Sequence, residues 1–590
     1  MGLEVVRRAL PSQPSRLDSS VHPVLQRIYA ARGVLDPEEL LLATRQLLPV
    51  GTLGGTEAAA QLLCRHRLHG GLVMIIGDFD ADGATSTALL VRALRSWGFP
   101  AVDFMVPNRF EYGYGLSPEI VAVAAARAPR LIITVDNGIA SHAGVEAARA
   151  AGIEVLITDH HLPAATLPAA DVIVNPNLPD SGFASGALAG VGVAFYVAAA
   201  LRRMLEQQGL LPAGALAVAE LLDLVALGTV ADVVPFDVNN RILVAQGLKR
   251  IRAGRCVPGI TALLELSKRS PAGIVASDLG FAVAPRLNAA GRLTDMSIGI
   301  RCLLTDEVPE ARDLALELDR LNSERRQIEA KMQAEALAAV RVLRDPASGV
   351  SRAGVCLFDE AWHQGVVGLV ASRLKERLRR PVIAFARADE RLLRGSARSM
   401  PGIHIRDVLD AMATREPLLI QKFGGHAMAA GLTLELSRLD QFARAFDGEC
   451  ARAMAARGSP DVIETDGQLT LEELALPTAE ALRAGGPWGP GFPEPLFDGV
   501  FHIRAARIIA ERHLKLALAA PEGRGEFSAI AFNFIDPEGA AQRAGAAVSG
   551  GSAVPGAMPA GAARLIYRLD CNEYQGERRL QFVIEHLLPA

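Results

Sequence analysis

Short apolar segments that end in acidic or histidine residues recur along the first part of the chain, at 73–82, 131–136, 155–161 and 224–232. Within the first three, the runs VMIIG, LIITV and VLIT are short and rich in β-branched residues, which predicts buried strands. Stretches with helical character, such as 85–97 and 141–151, separate these runs. Strands that alternate with helices predict an α/β fold with a parallel sheet.

The polar residues at the ends of these segments are candidate metal ligands, because open parallel sheets bind ligands at the carboxyl ends of their strands. We interpret all four segments as strand ends. The residues predicted there are Asp78, Asp80, Asp82, Asp136, Asp159, His160, His161 and Asp232. So many carboxylates at one edge would repel one another and lose hydration unless cations neutralise them. An aspartate after a strand can also be only a helix cap or turn former, but four such segments together favour a metal site.

The first segment, GDFDADG, carries aspartates at every second position, so a strand pleat continued through them would point their carboxylates to one side. Gly83 would then let the chain turn into a helix. Oxygen ligands favour magnesium or manganese, and one or two imidazoles shift the preference toward manganese. We therefore predict a site for two Mn²⁺ ions, with Mg²⁺ as the other candidate, and hydrolysis of a phosphoester as its chemistry.

Composition fits a large globular enzyme. The chain has 590 residues, 50% of them hydrophobic and 21% charged, which predicts about three to four folded units. Its longest apolar stretch, 186–201, is glycine-rich and short for a membrane span, so we expect a buried helix there and no membrane anchor. An N-terminus without an apolar core and six cysteines without close spacing favour a reducing cytoplasm and argue against structural zinc.

The net charge of −4 argues against a generally basic surface, so nucleic acid would have to meet local arginines. Arginines beside glycine or other small residues allow close approach of a phosphate. Those in this chain are Arg109, Arg286, Arg292, Arg373, Arg394 and Arg398. Each is also plausible as a solvated or salt-bridged surface group.

The second half of the chain changes pattern twice. Apolar residues recur among charges over 306–343, which predicts one or two long helices. The runs GVCLF and PVIAF predict strands with helices between them, and the glycines of FGGHAMAAG permit a loop close to a ligand. From about 463, strand-like pieces between glycine-rich turns predict a small OB-like β-barrel. The stretch 539–563, mostly Ala, Gly, Ser and Pro, is predicted to be a flexible insertion.

Aromatic residues in the barrel segment leave two roles open. OB-like barrels bind single strands by base stacking and a positive groove. The candidates Phe501, His513, Phe532, Phe534 and Tyr567 are as plausible in the barrel core as in stacking. Trp488, in the Pro/Gly-rich connector 486–495, is predicted to pack against the protein rather than stack on a base.

Several sequence elements resemble, in order, motifs of the DHH phosphoesterase family. Four of them, GDFDADGATSTALL, VDNG, TDHH and ALGTVADVVP, are similar to the ordered motifs shared by the family. The others, PNRFEYGYGLS, FAVAPRLNAAGRL, HQGVVGLVASR and the pair RGSARS and FGGHAMAAG, resemble those of its single-strand-specific 5′→3′ DNA exonucleases. The resemblance extends from about residue 50 nearly to the end of the chain.

This resemblance implies an α/β fold with a parallel-sheet DHH catalytic core, a long helical connector, a second α/β DHH-associated domain and a C-terminal OB-like β-barrel. The expected boundaries are 1–50 for an N-terminal segment packing on the core, 51–304 for the DHH catalytic domain, 305–345 for the helical connector, 346–455 for the DHH-associated substrate-binding domain and 463–590 for the OB-like nucleic-acid-binding domain.

The resemblance also implies roles for the residues that match the motifs. The implied metal ligands are Asp80, Asp82, Asp136, His160 and Asp232, with Asp78 as an additional candidate. Asp136 would bridge both ions, His161 would face the scissile phosphate, and Asp159 would orient an imidazole. Some family members carry a histidine where this chain has Ile76, and Asp78 is the candidate to compensate. The implied substrate-binding residues are Arg109, Arg286, Asn288, Arg292, Ser372, Arg373, Ser396, Arg398 and His426.

The function implied by the resemblance is 5′→3′ digestion of single-stranded DNA to 5′-mononucleotides by a two-metal mechanism, in DNA repair and recombination. The expected substrate is single-stranded DNA with a 5′ end, and the expected partners are a single-strand-binding protein and a helicase. Two alternatives stay open. A smaller DHH phosphodiesterase acting on short oligonucleotides or cyclic dinucleotides would not need the barrel, and a non-catalytic single-strand binder would tolerate broken metal motifs.

Overall fold

The computed structural model describes residues 4–589 of the chain except 14, 109–114, 344–351, 457–461, 511, 522, 524, 535–559 and 575–576. Arg109 and positions 539–559 of the predicted flexible insertion therefore lie outside the described residues. The end of that insertion was predicted wrongly, because residues 561–563 begin a barrel strand.

The first α/β unit is built on a five-stranded parallel sheet in the order β3-β2-β4-β5-β6. After an N-terminal strand β1 (Glu4–Arg7), its strands are β2 (Leu72–Gly77), β3 (Ala101–Met105), β4 (Pro129–Val135), β5 (Glu154–Thr158) and β6 (Val172–Val174). The runs VMIIG, LIITV and VLIT lie in β2, β4 and β5, so these strand predictions are confirmed. Strands β3 and β6 were missed, because β3 mixes polar with apolar residues and β6 has only three residues.

Helices cover both faces of this sheet, because alternate residues of β2 enter two separate apolar clusters. The helices up to the end of the unit are α1 (Pro23–Ala31), α2 (Thr56–His69), α3 (Ala81–Ser96), α4 (Pro118–Ala125), α5 (His142–Ala150), α6 (Gly190–Gln207), α7 (Leu222–Ala231), α8 (Val238–Arg252), α9 (Pro258–Leu266), α10 (Ala276–Asp278), α11 (Ala284–Leu293) and α12 (Ser297–Leu304). A π-helical turn, Leu279–Val283, separates α10 from α11. The apolar stretch 186–201 falls mostly in α6, which confirms the buried helix expected there.

Two expectations about the polar segments were wrong. The segment 224–232 is not a strand end but helix α7, which Asp232 terminates; a short apolar run without alternation does not distinguish a buried strand from a buried helix. The strand pleat also does not continue through GDFDADG, because β2 ends at Gly77 and α3 begins at Ala81.

The long helix and the second α/β unit follow. The segment 306–343 forms one helix, α13 (Val308–Leu343), of 36 residues and about 54 Å. The sheet of the second unit has the order β10-β11-β9-β8-β7, in which only β7 and β8 are parallel. Its elements are β7 (Val355–Phe358), α14 (Val367–Leu378), β8 (Val382–Arg387), β9 (Leu392–Arg398), α15 (Ile405–Arg415), β10 (Lys422–Gly425), β11 (Ala429–Glu435) and α16 (Leu439–Ala456).

The C-terminal part is a closed barrel in the order β13-β14-β15-β17-β16, which confirms the OB-like prediction. It is preceded by β12 (Val462–Thr465), which pairs with β1, and by α17 (Leu476–Ala484). The barrel strands are β13 (Phe497–Ile509), β14 (His513–Ala519), β15 (Glu526–Ala531), β16 (Gly561–Tyr574) and β17 (Glu577–Pro589). Phe501 and Tyr567 are buried in its core, whereas Phe532 is 49% exposed.

The N-terminal residues and the connector join the first unit to the barrel. Tyr29 of α1 donates a hydrogen bond to the carbonyl of Gly485 at 2.7 Å, and the backbone N–H of Leu48 donates to the side chain of Asn239 at 3.0 Å. The ring of Trp488 stacks on that of Tyr29, with centroids 6.0 Å apart, so Trp488 packs as predicted. Among the described residues, no helix combines the length and the apolar character that crossing a membrane requires.

Candidate metal centre and substrate cleft

The turn between β2 and α3 places Asp78 and Asp80 at the carboxyl edge of the sheet. One oxygen of Asp80, Oδ1, accepts hydrogen bonds from the backbone N–H groups of Asp82 and Gly83, both at 3.0 Å, and so caps α3. Asp80 can therefore cap α3 and also bind a metal ion. Gly83 is needed for packing rather than for turning, since a Cβ there would lie 2.6 to 2.8 Å from backbone atoms of Asp78.

Asp82 lies in the first turn of α3 and is buried. Its carboxylate accepts hydrogen bonds from the backbone N–H groups of Gly190 and Val191, at 2.7 and 2.9 Å, where α6 begins. A Cβ on Gly190 would lie 2.6 Å from the Cβ of Asp136, and one on Gly228 would lie 2.8 Å from Oδ1 of Asp82. The glycines of α6 and α7 therefore let both helices approach the carboxylates.

Asp136 follows β4 in a left-handed backbone conformation, with φ 60°, which is uncommon for a residue with a side chain and is often found at functional sites. Ligand atoms lie within 4.8 Å of one another in three sets: Asp78, Asp80 and Asp136; Asp82, His160 and Asp232; and Asp136, His160 and His161. The structure therefore brings all the predicted metal ligands into one cluster. Asp136 and His160 each belong to two of these sets, so either could contribute to more than one ion.

His160 presents a neutral imidazole to the carboxylates. Its Nε2 lies 3.0 Å from Oδ1 of Asp136 and 3.5 Å from Oδ2 of Asp232. The ring also bonds to the backbone of Leu188, and because Nε2 faces the carboxylates this bond uses Nδ1. Burial, together with the nearby charge of His161, lowers the pKa of His160 to about 4. At neutral pH the lone pair of Nε2 is therefore available to a metal ion.

The cluster carries more negative charge than the chain alone neutralises. Burial and then the charges of neighbouring carboxylates raise the pKa of Asp82 and of Asp136 well above the usual range. Burial and then Asp80 raise the pKa of Asp232 to about 7. Among the described residues, Nε2 of His160 and Oδ2 of Asp232 are buried without a hydrogen-bond partner. Carboxylate and imidazole donors in this state fit a divalent cation.

Asp159 holds His161, the second histidine of the pair. Oδ1 of Asp159 lies 2.7 Å from Nδ1 of His161, and Oδ2 accepts from the backbone N–H of Ile139 at 2.9 Å. Burial alone would lower the pKa of His161, but the hydrogen bond and charge of Asp159 outweigh it and raise the pKa to about 9. His161 is thus an imidazolium that Asp159 orients. Its ring faces that of His426, with centroids 6.1 Å apart.

The second unit reaches the metal centre through His426. Nη1 of Arg398 donates to Oγ of Ser396 at 2.9 Å, and a Cβ on Gly368 would lie 2.9 Å from both side chains. His426 follows β10 and faces the metal centre through His161. The structure therefore brings His426 to the metal centre, and it places Ser396 and Arg398 together at the start of α14.

Sequence reasoning missed two residues beside His426. The backbone N–H of Ile405 donates to the carbonyl of Ala427 at 2.8 Å, which places the start of α15 against the loop that carries His426. Burial first, and then the charges of His161, Arg406 and His404, lower the pKa of His426. No motif marked His404 or Arg406, because their proximity depends on how α15 packs.

Several predicted substrate contacts are engaged elsewhere. Arg286 is buried and donates to Asp319 of α13 at 2.8 Å and to the carbonyl of Ala282 at 2.5 Å, which gives it a structural role. Arg373 pairs with Glu329 of α13 at 3.4 Å. The motif VASR lies inside α14, so Ser372 and Arg373 do not sit at a helix start. Substrate contact by these residues stays a prediction.

Helix α11 supports the metal-binding turn. Oδ1 of Asn288 accepts from the backbone N–H of Ala81 at 2.8 Å, and a Cβ on Gly291 would lie 1.8 Å from the carbonyl oxygen of Phe79. At its end, Nη1 of Arg292 donates to the carbonyl of Gly365 at 3.2 Å. Asn288 and Arg292, both predicted to bind substrate, thus connect the turn, α11 and the second unit.

Three family models match successive parts of the chain. They describe the DHH family N-terminal domain at residues 72–229, the DHHA1 domain at 350–452 and the RecJ OB domain at 465–586. The chain is 51% identical to a Dickeya dadantii protein named single-stranded-DNA-specific exonuclease RecJ, over 99% of each chain. It is 49% identical to the Escherichia coli protein of the same name, again over 99% of each chain.

The similar solved structures include RecJ proteins as well. The structure of RecJ from Thermus thermophilus in complex with Mn²⁺ superposes with a TM-score of 0.75 at 30% identity, covering 97% of this chain and 76% of the other. The same protein in complex with Mg²⁺ gives a TM-score of 0.70 at 29% identity, covering 97% and 75%.

Proposed function

The chain belongs to the RecJ family of the DHH superfamily, and on this premise we propose that it is a metal-dependent exonuclease that releases 5′-mononucleotides from the 5′ end of single-stranded DNA. The observation that carries the proposal is the cluster of aspartates and His160, with His161 held beside it by Asp159. The proposed setting is DNA repair and recombination in the cytoplasm, with a single-strand-binding protein and a helicase as partners.

We place two Mn²⁺ ions in the cluster, with Mg²⁺ as the other candidate, and Asp136 between them. The remaining ligands are Asp78, Asp80, Asp82, His160 and Asp232. Bound divalent ions supply an activated water and positive charge for phosphodiester hydrolysis. The chain supplies the neutral imidazole of His160 and the N–H of the His161 imidazolium, which Asp159 directs toward the scissile phosphate.

The second unit is the proposed binding domain for the terminal nucleotide. His426, Ser396 and Arg398 offer donors to phosphates that lie opposite the metal centre. Among the predicted substrate-binding residues, we propose Arg109, Ser372 and Arg373 as the contacts of the 5′-terminal phosphate. The side chain of Arg373 is 58% exposed and forms an ion pair with Glu329, so it can contact a ligand while this ion pair holds it in position.

We propose that the barrel binds the part of a long single strand that extends beyond the metal centre. Arg507 of β13 and Lys515 of β14 are paired in register, and Arg504 lies exposed nearby on β13. Within the part of the chain that the structure describes, none of these three cations has an ion-pair partner. A positive stripe on an OB-like barrel supports contact with the phosphates of a single strand.

The experiment that tests this proposal compares three substrates in the presence of Mn²⁺: a long 5′-phosphorylated single strand, a dinucleotide and a blunt duplex. We expect efficient metal-dependent turnover of the long strand and little of the duplex. Preferred turnover of the dinucleotide would instead favour a phosphodiesterase of short oligonucleotides, and binding without turnover in any metal would favour a non-catalytic binder.

A further inference from the structure

The second half of α13 packs on α14, the helix of the second unit that carries Arg373. Met332 of α13 shares an apolar cluster with Val370 and Leu374 of α14. The same packing brings the buried side chain of Glu329 to 3.4 Å from the guanidinium of Arg373. The helix that connects the two units therefore supplies a carboxylate to a residue proposed to bind the 5′-terminal phosphate.

Glu329 has a closer partner on its own helix. Nη1 of Arg325 donates to Oε2 of Glu329 at 2.5 Å, and Nη2 of Arg325 donates to Oδ1 of Asn322 at 2.6 Å. The side chains of Arg325 and Glu329 are each 12% exposed, whereas that of Arg373 is 58% exposed. Attraction between two charges grows as the distance shortens and water is excluded, so Glu329 attracts Arg325 more strongly than Arg373.

Two arginines thus compete for one carboxylate. Burial lowers the pKa of Arg325 and outweighs the opposing effect of Glu329, and the charge of Arg373 lowers it further. A second carboxylate, that of Glu376, lies 3.6 Å from Nη1 of Arg373, but it is 54% exposed and solvent weakens this pair. While Arg325 holds Glu329, Arg373 therefore keeps positive charge that a phosphate can use.

We propose that Arg325 sets the preference of the enzyme for phosphorylated 5′ ends: by occupying Glu329, it leaves Arg373 able to bind the terminal phosphate. The inference rests on the proposed function, and in particular on the proposed contact between Arg373 and that phosphate. Arg325 acts through Glu329, so it is a positioning residue rather than a substrate contact. Without Arg325, the carboxylate of Glu329 would turn to Arg373 and compete with the phosphate for it.

The test measures kcat/KM on matched single strands with a 5′-phosphate or a 5′-hydroxyl end, and the ratio of the two values is the end preference. Arg325→Met removes the competing cation and keeps a long apolar side chain. The preference should fall by roughly fivefold, the factor that corresponds to an ion pair of about 1 kcal/mol. The loss should appear as a raised KM for the phosphorylated strand, with kcat, the 5′-hydroxyl strand and Mn²⁺ affinity unchanged.

A second substitution separates this role from a merely structural one. Adding Glu329→Gln to Arg325→Met removes the carboxylate that would capture Arg373, so the double variant should recover the preference of the wild type. A structural pair would show no recovery, since both partners are then lost. Arg320→Met is the matched control, because Arg320 pairs with Glu324 on the same helix with the same spacing, at 3.2 Å, but with side chains 64% and 50% exposed. This variant should keep the wild-type preference.

Unchanged preference in Arg325→Met would overturn the inference, as would a loss that Glu329→Gln does not reverse. Arg373→Ala distinguishes these results from a failure of the proposed function. If Arg373→Ala loses the preference while Arg325→Met keeps it, only the inference about Arg325 is wrong. If Arg373→Ala itself keeps the preference, the terminal phosphate is bound elsewhere, and the proposed role of Arg373 is wrong as well.

Discussion

Replacing Asn288 with alanine tests how the metal-binding turn is held in place. The change removes the side-chain oxygen that accepts a hydrogen bond from the backbone N–H of Ala81. Ala81 lies between the predicted ligands Asp80 and Asp82. A partly buried N–H left without its partner costs about 1 to 3 kcal/mol. Because the cost falls on the segment that carries the ligands, we expect Mn²⁺ affinity to drop by roughly tenfold to a hundredfold, the range found for residues that support metal ligands.

Calorimetric titration of Mn²⁺ without DNA measures this affinity, and steady-state kinetics at saturating Mn²⁺ measures KM for the strand. In Asn288→Ala the metal affinity should fall while KM for DNA stays close to that of the wild type. Asn288→Asp keeps an accepting oxygen and adds negative charge, so its metal affinity should not fall. Unchanged metal affinity with a raised KM for DNA would refute this reasoning and return Asn288 to the role of a substrate contact.

Three further predictions follow. Asp136→Ala should abolish nearly all turnover while single-strand binding, measured by fluorescence anisotropy, persists through the other units; substantial remaining turnover would count against a two-ion centre. Arg373→Ala should reduce the preference for 5′-phosphate over 5′-hydroxyl ends by roughly tenfold to a hundredfold in kcat/KM, as loss of a charge-assisted contact does. Burial would raise the pKa of Asp498, but hydrogen bonds from Arg7 and Arg564 outweigh it and lower the pKa to about 2. About 2 kcal/mol of stability should therefore be present above pH 4 and be lost as the pH falls toward 2, and acid unfolding of Asp498→Asn should lack this dependence.

The sequence predicted those parts of the fold that depend on local pattern. Buried parallel strands such as β2 and β4 are continuous apolar runs, and their carboxyl ends carry ligands that the sheet must bring together. Helix α7 was mistaken for a strand, because an all-apolar run carries no period. The ligand Asp232 was still identified, since an aspartate that ends a buried element at this edge reaches the same cluster.

What the sequence did not predict depends on contacts between distant segments. Arg286 beside small residues suggested a phosphate contact, but only the packing of α11 on α13 shows that Asp319 neutralises it. The same holds for a cavity between the first α/β unit and the barrel, because Phe281 and Phe532, which both line it, come from different units. No local sequence pattern indicates which face of the barrel packs against the first unit.

The most direct test of the account is a digestion time course with Mn²⁺ on single strands labelled at the 5′ or at the 3′ end, run for the wild type and for Asp136→Ala. We expect the wild type to release the 5′ label first and as a mononucleotide, while the 3′ label stays on strands that shorten progressively, and we expect Asp136→Ala to release neither label. Early release of the 3′ label, or equal digestion by the Asp136→Ala variant, would contradict it.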